Sequence, residues 1–310
     1  MCFNKTAKPL NNYRENTMNK NVIALLTGTI FSVAACGTST TTSDQTMNIS
    51  NKEKVVALLN SIETREKTAA SYVNATNYTQ HNLAVGDGLA GFGAVLQALP
   101  KNSAKVDVVR SFTDGDYVFT HTNYNFFGPK VGFDVFRFEN GLIVEHWDNL
   151  DEKVTTNNPS GRSQLDGATQ VTDLDKTEEN KALVANFVDT ILVKGQFDKL
   201  STFFDGDNYI QHNTMIADGL SGLGQALAAM QEQGITMVYT TNHKILGEGN
   251  FVLSISEGSF AGKPTSFYDL FRVENGKIAE HWDVIENILP KHQWKNANGK
   301  FGNLNNTTTH

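Results

Sequence analysis

The amino-acid sequence predicts an α+β chain built from two tandem copies of one small domain. Two observations lead there. The first is internal repetition: residues 77–96, NYTQHNLAVGDGLAGFGAVL, lie over residues 208–227, NYIQHNTMIADGLSGLGQAL. Residues 133–150, FDVFRFENGLIVEHWDNL, lie over residues 268–285, YDLFRVENGKIAEHWDVI, after a further shift of about four residues, the size of one loop change. The second is order: in each copy amphipathic helical periods come first and strand patterns last, unlike alternating βα units. A period above about 100 residues is too long for a solenoid, so each copy should own a complete core.

The amino terminus departs from this pattern. Lys20 precedes an apolar run from Val22 to Val33, too short at about twelve residues to span a bilayer but the length of a secretory signal core. The run ends in Val33-Ala34-Ala35-Cys36, which resembles the bacterial lipobox, so Met18 is the expected start and Cys36 the expected lipidated mature terminus. The alternative is an ordinary signal cleaved after Ala35. The lipobox reading implies a protein of the bacterial cell envelope, held to the membrane by its lipid alone and exposed outside the cytoplasm. The chain then divides into leader (1–36), tether (37–50), first domain (51–152), linker (153–177), second domain (178–295) and tail (296–310), the last ten or so residues reading as disordered.

Within each copy the elements follow from local pattern. Val55, Leu58, Leu59 and Ile62 in the first copy, and Val184, Phe187, Val188, Ile191 and Leu192 in the second, recur at helical spacing. A second helix should carry Leu200, Phe203 and Phe204. The QHN segment follows, then Asp87 and Asp218 as N-caps of a small-residue helix. Tyr117 to Phe126 and Phe251 to Phe260 read as strands, and Asn140-Gly141 and Asn275-Gly276 favour two-residue type I′ hairpins.

Counting back from that turn pairs Phe138 with Ile143, Phe136 with Glu145 and Asp134 with Trp147, and in the second copy Phe271 with Glu280 and Asp269 with Trp282. On this register Asp134 shares an aromatic face with Phe136, Phe138, Glu145 and Trp147. Arg137, His146 and Asp148 fall on the opposite, outer face, as do Arg272 and His281.

The QHN segment, the DG-small-G turn and the D-hydrophobic-FR…ENG…EHWD hairpin resemble the SnoaL-like polyketide cyclase family, over roughly residues 51–152 and 178–295. The resemblance implies the NTF2-like fold, a curved antiparallel sheet wrapped by helices into a cone with an apolar pocket. It implies cofactor-free and metal-free chemistry on a small apolar organic ligand, by aldol condensation or isomerisation in some members, while others only bind. Such chemistry needs a base near the carbon beside a carbonyl and donors for the resulting enolate oxygen. Asp134 is the expected base, and the resemblance maps His121 onto the histidine that accompanies it; the alternative for Asp134 is a buried aspartate satisfied by a hydroxyl or amide.

Expected ligand contacts in the first copy are His81, Asn123, Phe136, Glu145 and Trp147. In the second they are His212, Glu257, Asp269, Phe271, Glu280 and Trp282. His81 and His212 either line the pocket or hold their loop to the next helix; Glu145 and Glu280 are either acid–base groups or unexplained ion pairs. The second copy has Ile255 where the first has His121, so family-type chemistry should be stronger in the first.

Other classes are excluded. A chain of 310 residues with 39% hydrophobic and 19% charged residues is globular, and a net charge of −7 leaves no footprint for nucleic acid. Cys2 and Cys36 are the sole cysteines, so the folded part has no disulfide, thiolate or cysteine–zinc site, and no HExxH pattern replaces them. The two copies are expected to pair within the chain or as a homodimer.

Overall fold

The computed structural model describes residues 49–304; the leader with Cys36, the tether through residue 48 and the end from residue 305 lie outside the described residues. Among the described residues no helix is long and apolar enough to cross a membrane.

A capping box, in which Ser50 and Glu53 satisfy one another's backbone N–H groups, starts α1 (Asn51–Thr64). Its stripe Val55, Leu58, Leu59 and Ile62 is buried as the periodicity predicts. Strand β1 (Thr79–Gln80) and α2 (Gly88–Ala98, N-cap Asp87) follow. Then come β2 (Lys105–Asp114), β3 (Tyr117–Asn125), β4 (Pro129–Glu139) and β5 (Leu142–Glu152). The second half repeats this with α3 (Thr177–Phe187), extended by a π-helical segment at Val188–Val193, then β6 (Ile210–Gln211) and α4 (Gly219–Glu232). Its long strands are β7 (Met237–Glu248), β8 (Phe251–Phe260), β9 (Lys263–Glu274) and β10 (Lys277–Asn287). Where the sequence predicts a second helix, a 3-10 helix spans Phe197–Phe203.

The two sheets have the same order, β1-β5-β4-β3-β2 and β6-β10-β9-β8-β7. They are not purely antiparallel, because β1 and β6, each ending at the glutamine of a QHN segment, add a short parallel edge: Gln80 lies beside His146, and Gln211 beside His281.

The hairpin register is the chief correction to the sequence reading. Asn140 and Gly141 both have positive φ, as a type I′ turn requires, and Phe138 does pair with Ile143. Beyond that pair a β-bulge leaves Val144 without a partner, so Arg137 faces Glu145, Phe136 faces His146, Val135 faces Trp147 and Asp134 faces Asp148. The second half has the same bulge at Ala279, pairing Phe271 with His281 and Asp269 with Asp283. One extra residue turns every later side chain to the other face. His146 and Asp148 therefore join Asp134 beneath the helices, while Glu145 and Trp147 leave it.

One face of each sheet packs on its own helices, through Val118, Tyr124, Phe136, Phe138 and Ile143 in the first half and Val252, Phe271, Val273 and Ile278 in the second. The other faces meet in one shared core that includes Phe119, Phe133, Val135 and Trp147 together with Phe251, Leu253, Tyr268 and Trp282. Equivalent ion pairs cross the junction in both directions: Lys52 meets Glu248, and Lys181 meets Asp114, each at 2.8 Å. Such reciprocity is the pattern of a two-fold contact.

The segment expected to be a free linker and the described part of the tail, residues 296–304, are instead straps, each laid across the other half's sheet. Asn158 donates to the carbonyls of Gln211 and Ile216, and Asn296 to those of Asn82 and Val85. Trp282 donates its indole N–H to Asp166 O, and Trp147 to Gly302 O, both at 2.9 Å. Leu304 is fully buried. Gly167 has φ +92°, and a Cβ there would sit 2.1 Å from Glu280 Oε1. Gly167→Ala should therefore cost about 1–3 kcal/mol, read as a lowered urea midpoint; an unchanged midpoint would show that this strap carries no stability.

Candidate functional site

Beneath the helices of the first half, polar side chains converge on one carboxylate. Asp134 Oδ2 accepts from the Tyr124 hydroxyl at 2.7 Å and, more weakly, from Thr120 at 3.4 Å. Its Oδ1 lies 3.2 Å from His146 Nε2. His146 stacks on Phe136, ring centroids 4.4 Å apart, and its Nδ1 lies 3.1 Å from Gln80 Oε1. Asn82 donates to Asp148 Oδ2 at 2.7 Å, while Asp148 Oδ1 has no hydrogen-bond partner and faces Lys300 at 3.9 Å. Asp134, His146 and Asp148 are 4%, 8% and 4% exposed. This is a buried polar network in which Asp134 retains accepting capacity, since a carboxylate offers about four lone-pair sites.

The second half builds the same constellation. Asp269 Oδ1 lies 3.1 Å from His281 Nε2, His281 Nδ1 lies 3.1 Å from Gln211 Oε1, and Asn213 donates to Asp283 at 2.7 Å. Phe271 stacks on His281 as Phe136 does on His146. The tyrosine arrives by another route. Gly258 occupies the position of Tyr124, and Tyr239 on β7 brings its hydroxyl to 3.3 Å from Asp269 Oδ2. The Tyr–Asp–His grouping thus survives although its tyrosine comes from a different strand.

Several expected site residues lie on the opposite face. His121 pairs with Phe133, one position off Asp134, and alternation along β3 turns it into the junction between the halves. There Arg110 donates to its Nδ1 at 3.0 Å, and burial together with that guanidinium holds the His121 pKa well below the usual imidazole value. It is a neutral interface residue and does not accompany Asp134. Ile255 occupies the equivalent place in the shared core, so the exchange of His121 for Ile255 leaves both Asp–His clusters untouched. Asn123 shares the His121 face and accepts from Lys153; Glu257 pairs with His243 at 3.0 Å.

Glu145 and Trp147 are carried to that face by the bulge. His81 stacks on Trp147 at 4.8 Å and bridges Gly299 O, at 2.7 Å, to Glu145 Oε1, at 2.9 Å. Arg137 Nε donates to the other Glu145 oxygen at 2.7 Å. His212, Trp282, Glu280 and Arg272 repeat this, with Ser163 O as the strap carbonyl. His81 and His212 thus hold strap to sheet. Burial alone would raise the pKa of Glu145 and Glu280, but hydrogen bonds from His81, Asn303 and Arg137, and from His212 and Arg272, hold both below the usual carboxylate value.

The sequence reading missed His146, Asp148, Tyr124 and Gln80, and their counterparts His281, Asp283, Tyr239 and Gln211. The repeated EHWD and QHN motifs contained all but the two tyrosines, and the bulge hid which face the EHWD residues take. Asp134, His146 and Asp148, and likewise Asp269, His281 and Asp283, each bring three ligand-type atoms within 4.8 Å of one another, a spacing able to hold a metal ion. Among the described residues, one cavity lies away from these clusters and another reaches Tyr124. One of about 570 Å³ is bounded by the first strap, Asn250 and Arg272, and one of about 330 Å³ by Lys105, Asn123, Tyr124 and Lys153.

Burial alone would lower the His281 pKa, but its hydrogen bond to Asp269 and the nearby carboxylates of Asp283 and Asp269 raise it above 6.5. A raised histidine contributes stability that is complete below its unfolded value and lost as pH climbs through the folded one; a lowered glutamate contributes above its unfolded value, 4.5, and loses it as pH falls. His121, held low by burial and Arg110, contributes stability that is present above 6.5 and lost as pH falls below it, so stability should peak near about pH 6.5 and decline on both sides, measured as urea midpoints from pH 3 to 9. Glu280→Gln should flatten the acid limb, and an unaltered limb would remove Glu280 from the account.

Residues 184–281 match the family model described as the SnoaL-like domain. Among solved structures, an NTF2-like protein of unknown function from Cytophaga hutchinsonii is 16% identical over 33% of this chain and 91% of its own, with TM-score 0.29. A Kribbella flavida protein assigned as a ketosteroid isomerase is 12% identical over 41% of this chain and 96% of its own, TM-score 0.33. IdmH from Streptomyces antibioticus, assigned as a polyketide cyclase, is 18% identical over 33% and 91%, TM-score 0.28. No curated protein matches the chain. Residues 184–281 are thus similar to the SnoaL-like domain, and the fold is α+β with two five-stranded sheets.

Proposed function

We propose that each half transfers a proton on a small, enolisable organic molecule at the helix-covered face of its sheet. Asp134 with His146 would do so in the first half, and Asp269 with His281 in the second. The observation that carries this reading is the Tyr–Asp–His grouping, present twice with the tyrosine supplied by β3 in one half and β7 in the other. Packing alone does not require a hydroxyl on the carboxylate from two unrelated positions.

In the proposed step the carboxylate takes a proton from the carbon beside a carbonyl, the C–H electron pair moves to form the enolate, and the proton rests on the aspartate. The imidazolium and tyrosine hydroxyl stabilise the charges that change. Return of the proton at another carbon completes an isomerisation; attack of the enolate carbon on a second carbonyl, with the proton delivered to the new alkoxide, completes an aldol closure. The lipid anchor expected at Cys36 would hold both sites at the cell envelope, facing a scavenged or exported ligand.

A second reading, a lipoprotein that binds such a molecule without converting it, is favoured by the burial of both Asp–His pairs to 8% exposure or less. Deuterium uptake from D2O into cyclohexanone, followed by NMR, separates the two. The wild type should accelerate uptake, Asp134→Asn and Asp269→Asn should each remove part of it, and the double variant should lose at least about 100-fold. A double variant with the wild-type rate would sink the catalytic reading, and a wild type that binds ketone without exchange would establish the second. Cys36→Ser should move the protein from the membrane to the soluble fraction; retention at the membrane would refute the anchor.

A further inference from the structure

We infer that Gln80 and Gln211 are positioning residues that commit His146 and His281 to one tautomer, with hydrogen on Nδ1, so that Nε2 is the nitrogen that exchanges a proton with the aspartate. This rests on the Asp–His reading above and adds the device that orients it.

A backbone N–H only donates, and the Asn82 N–H lies 2.8 Å from Gln80 Oε1. In the second half two such groups, His212 and Asn213 N–H, each lie 2.9 Å from Gln211 Oε1. The amide nitrogens point the other way, to the hydroxyls of Tyr78 at 3.4 Å and Tyr209 at 3.0 Å. A flipped amide would set N–H against N–H, so neither glutamine can turn. Both are at least 97% buried, and β1 and β6 hold them directly beside the histidines on the neighbouring strands.

The oxygen that accepts from the backbone also lies 3.1 Å from the histidine Nδ1 in each half. An amide oxygen only accepts, so Nδ1 carries the hydrogen. A neutral ring then presents the Nε2 lone pair toward Asp134 or Asp269 Oδ1, at 3.2 and 3.1 Å. Two lone pairs at that distance repel, and the contact is attractive only with a proton between them, drawn from imidazolium or from carboxylic acid. Without the glutamine, a neutral ring would place its own hydrogen on Nε2 and donate it to the carboxylate, which makes a stable pair but a poor relay. The glutamine thus sets the shared proton on the line between Nε2 and Oδ1, free to move as the aspartate gains or loses charge at the substrate.

The test uses the full-length chain with 15N-labelled histidine. His146 and His281 should show a protonated Nδ1 throughout the folded pH range. In Gln80→Leu the neutral His146 ring should become the Nε2–H tautomer. In an Asp269→Asn background, which isolates the first site, kcat for cyclohexanone exchange should fall about tenfold with KM little changed. Gln80→Glu keeps an acceptor of the same shape and should restore both the Nδ1–H signal and most of the rate. A neutral Nε2–H ring in the wild type, a tautomer unaffected by Gln80→Leu, or equal loss in the Leu and Glu variants would overturn the inference. Were cyclohexanone not exchanged at all, the catalytic reading would fall while the tautomer measurement still decided this one.

Discussion

The interaction on which the rest depends is the grip of each QHN tripeptide on the EHWD segment of the last strand. Gln80 holds His146, His81 holds Glu145 and stacks on Trp147, and Asn82 holds Asp148. Gln211, His212 and Asn213 do the same for the second half. The parallel ladder beneath is only two residues long, so these buried side-chain bonds carry much of the register. Consecutive residues of a strand face opposite ways, and one tripeptide therefore serves both faces: glutamine and asparagine reach the acid–base cluster, and histidine reaches the junction between the halves.

The bulge is what makes that grip chemically useful. Without the extra residue at Val144 the face beneath the helices would carry Glu145 and Trp147, and His146 would lie in the junction. With it, the imidazole of His146 comes beside Asp134 and the glutamate comes beside Arg137, so the carboxylate beneath the helices is kept apart from one locked in an ion pair with arginine. The environments push the two kinds of acid in different directions: Glu145 and Glu280 are held ionised by their donors, while burial raises Asp283.

Each half also completes the other. Strap carbonyls accept the indole and imidazole N–H groups of the opposite sheet, in a junction where an unpaired donor costs about 1–3 kcal/mol. The straps repeat one another in role, and the Lys52–Glu248 and Lys181–Asp114 pairs repeat in place. Duplication therefore extends past the domains into the segments that join them, and the junction buries aromatic residues that would otherwise face water, each worth about 2 kcal/mol.

The sequence by itself determined the repetition, the helical stripes, the Asn-Gly turns and hence the α+β architecture, because those depend on local periodicity and on backbone angles that few residues adopt. It also singled out Asp134 and Asp269 and contained the histidines in its two repeated motifs. Only the tertiary structure decided which histidine meets the aspartate. Val144 and Ala279 are ordinary strand residues, and nothing in their chemistry announces a bulge, yet that single insertion exchanged His146 for Trp147 beneath the helices. Alternation likewise turned His121 away, although its neighbourhood in sequence resembles a site. The straps were unreadable for a related reason: polar, glycine-rich segments look like free linkers until a second surface offers buried donors for their carbonyls.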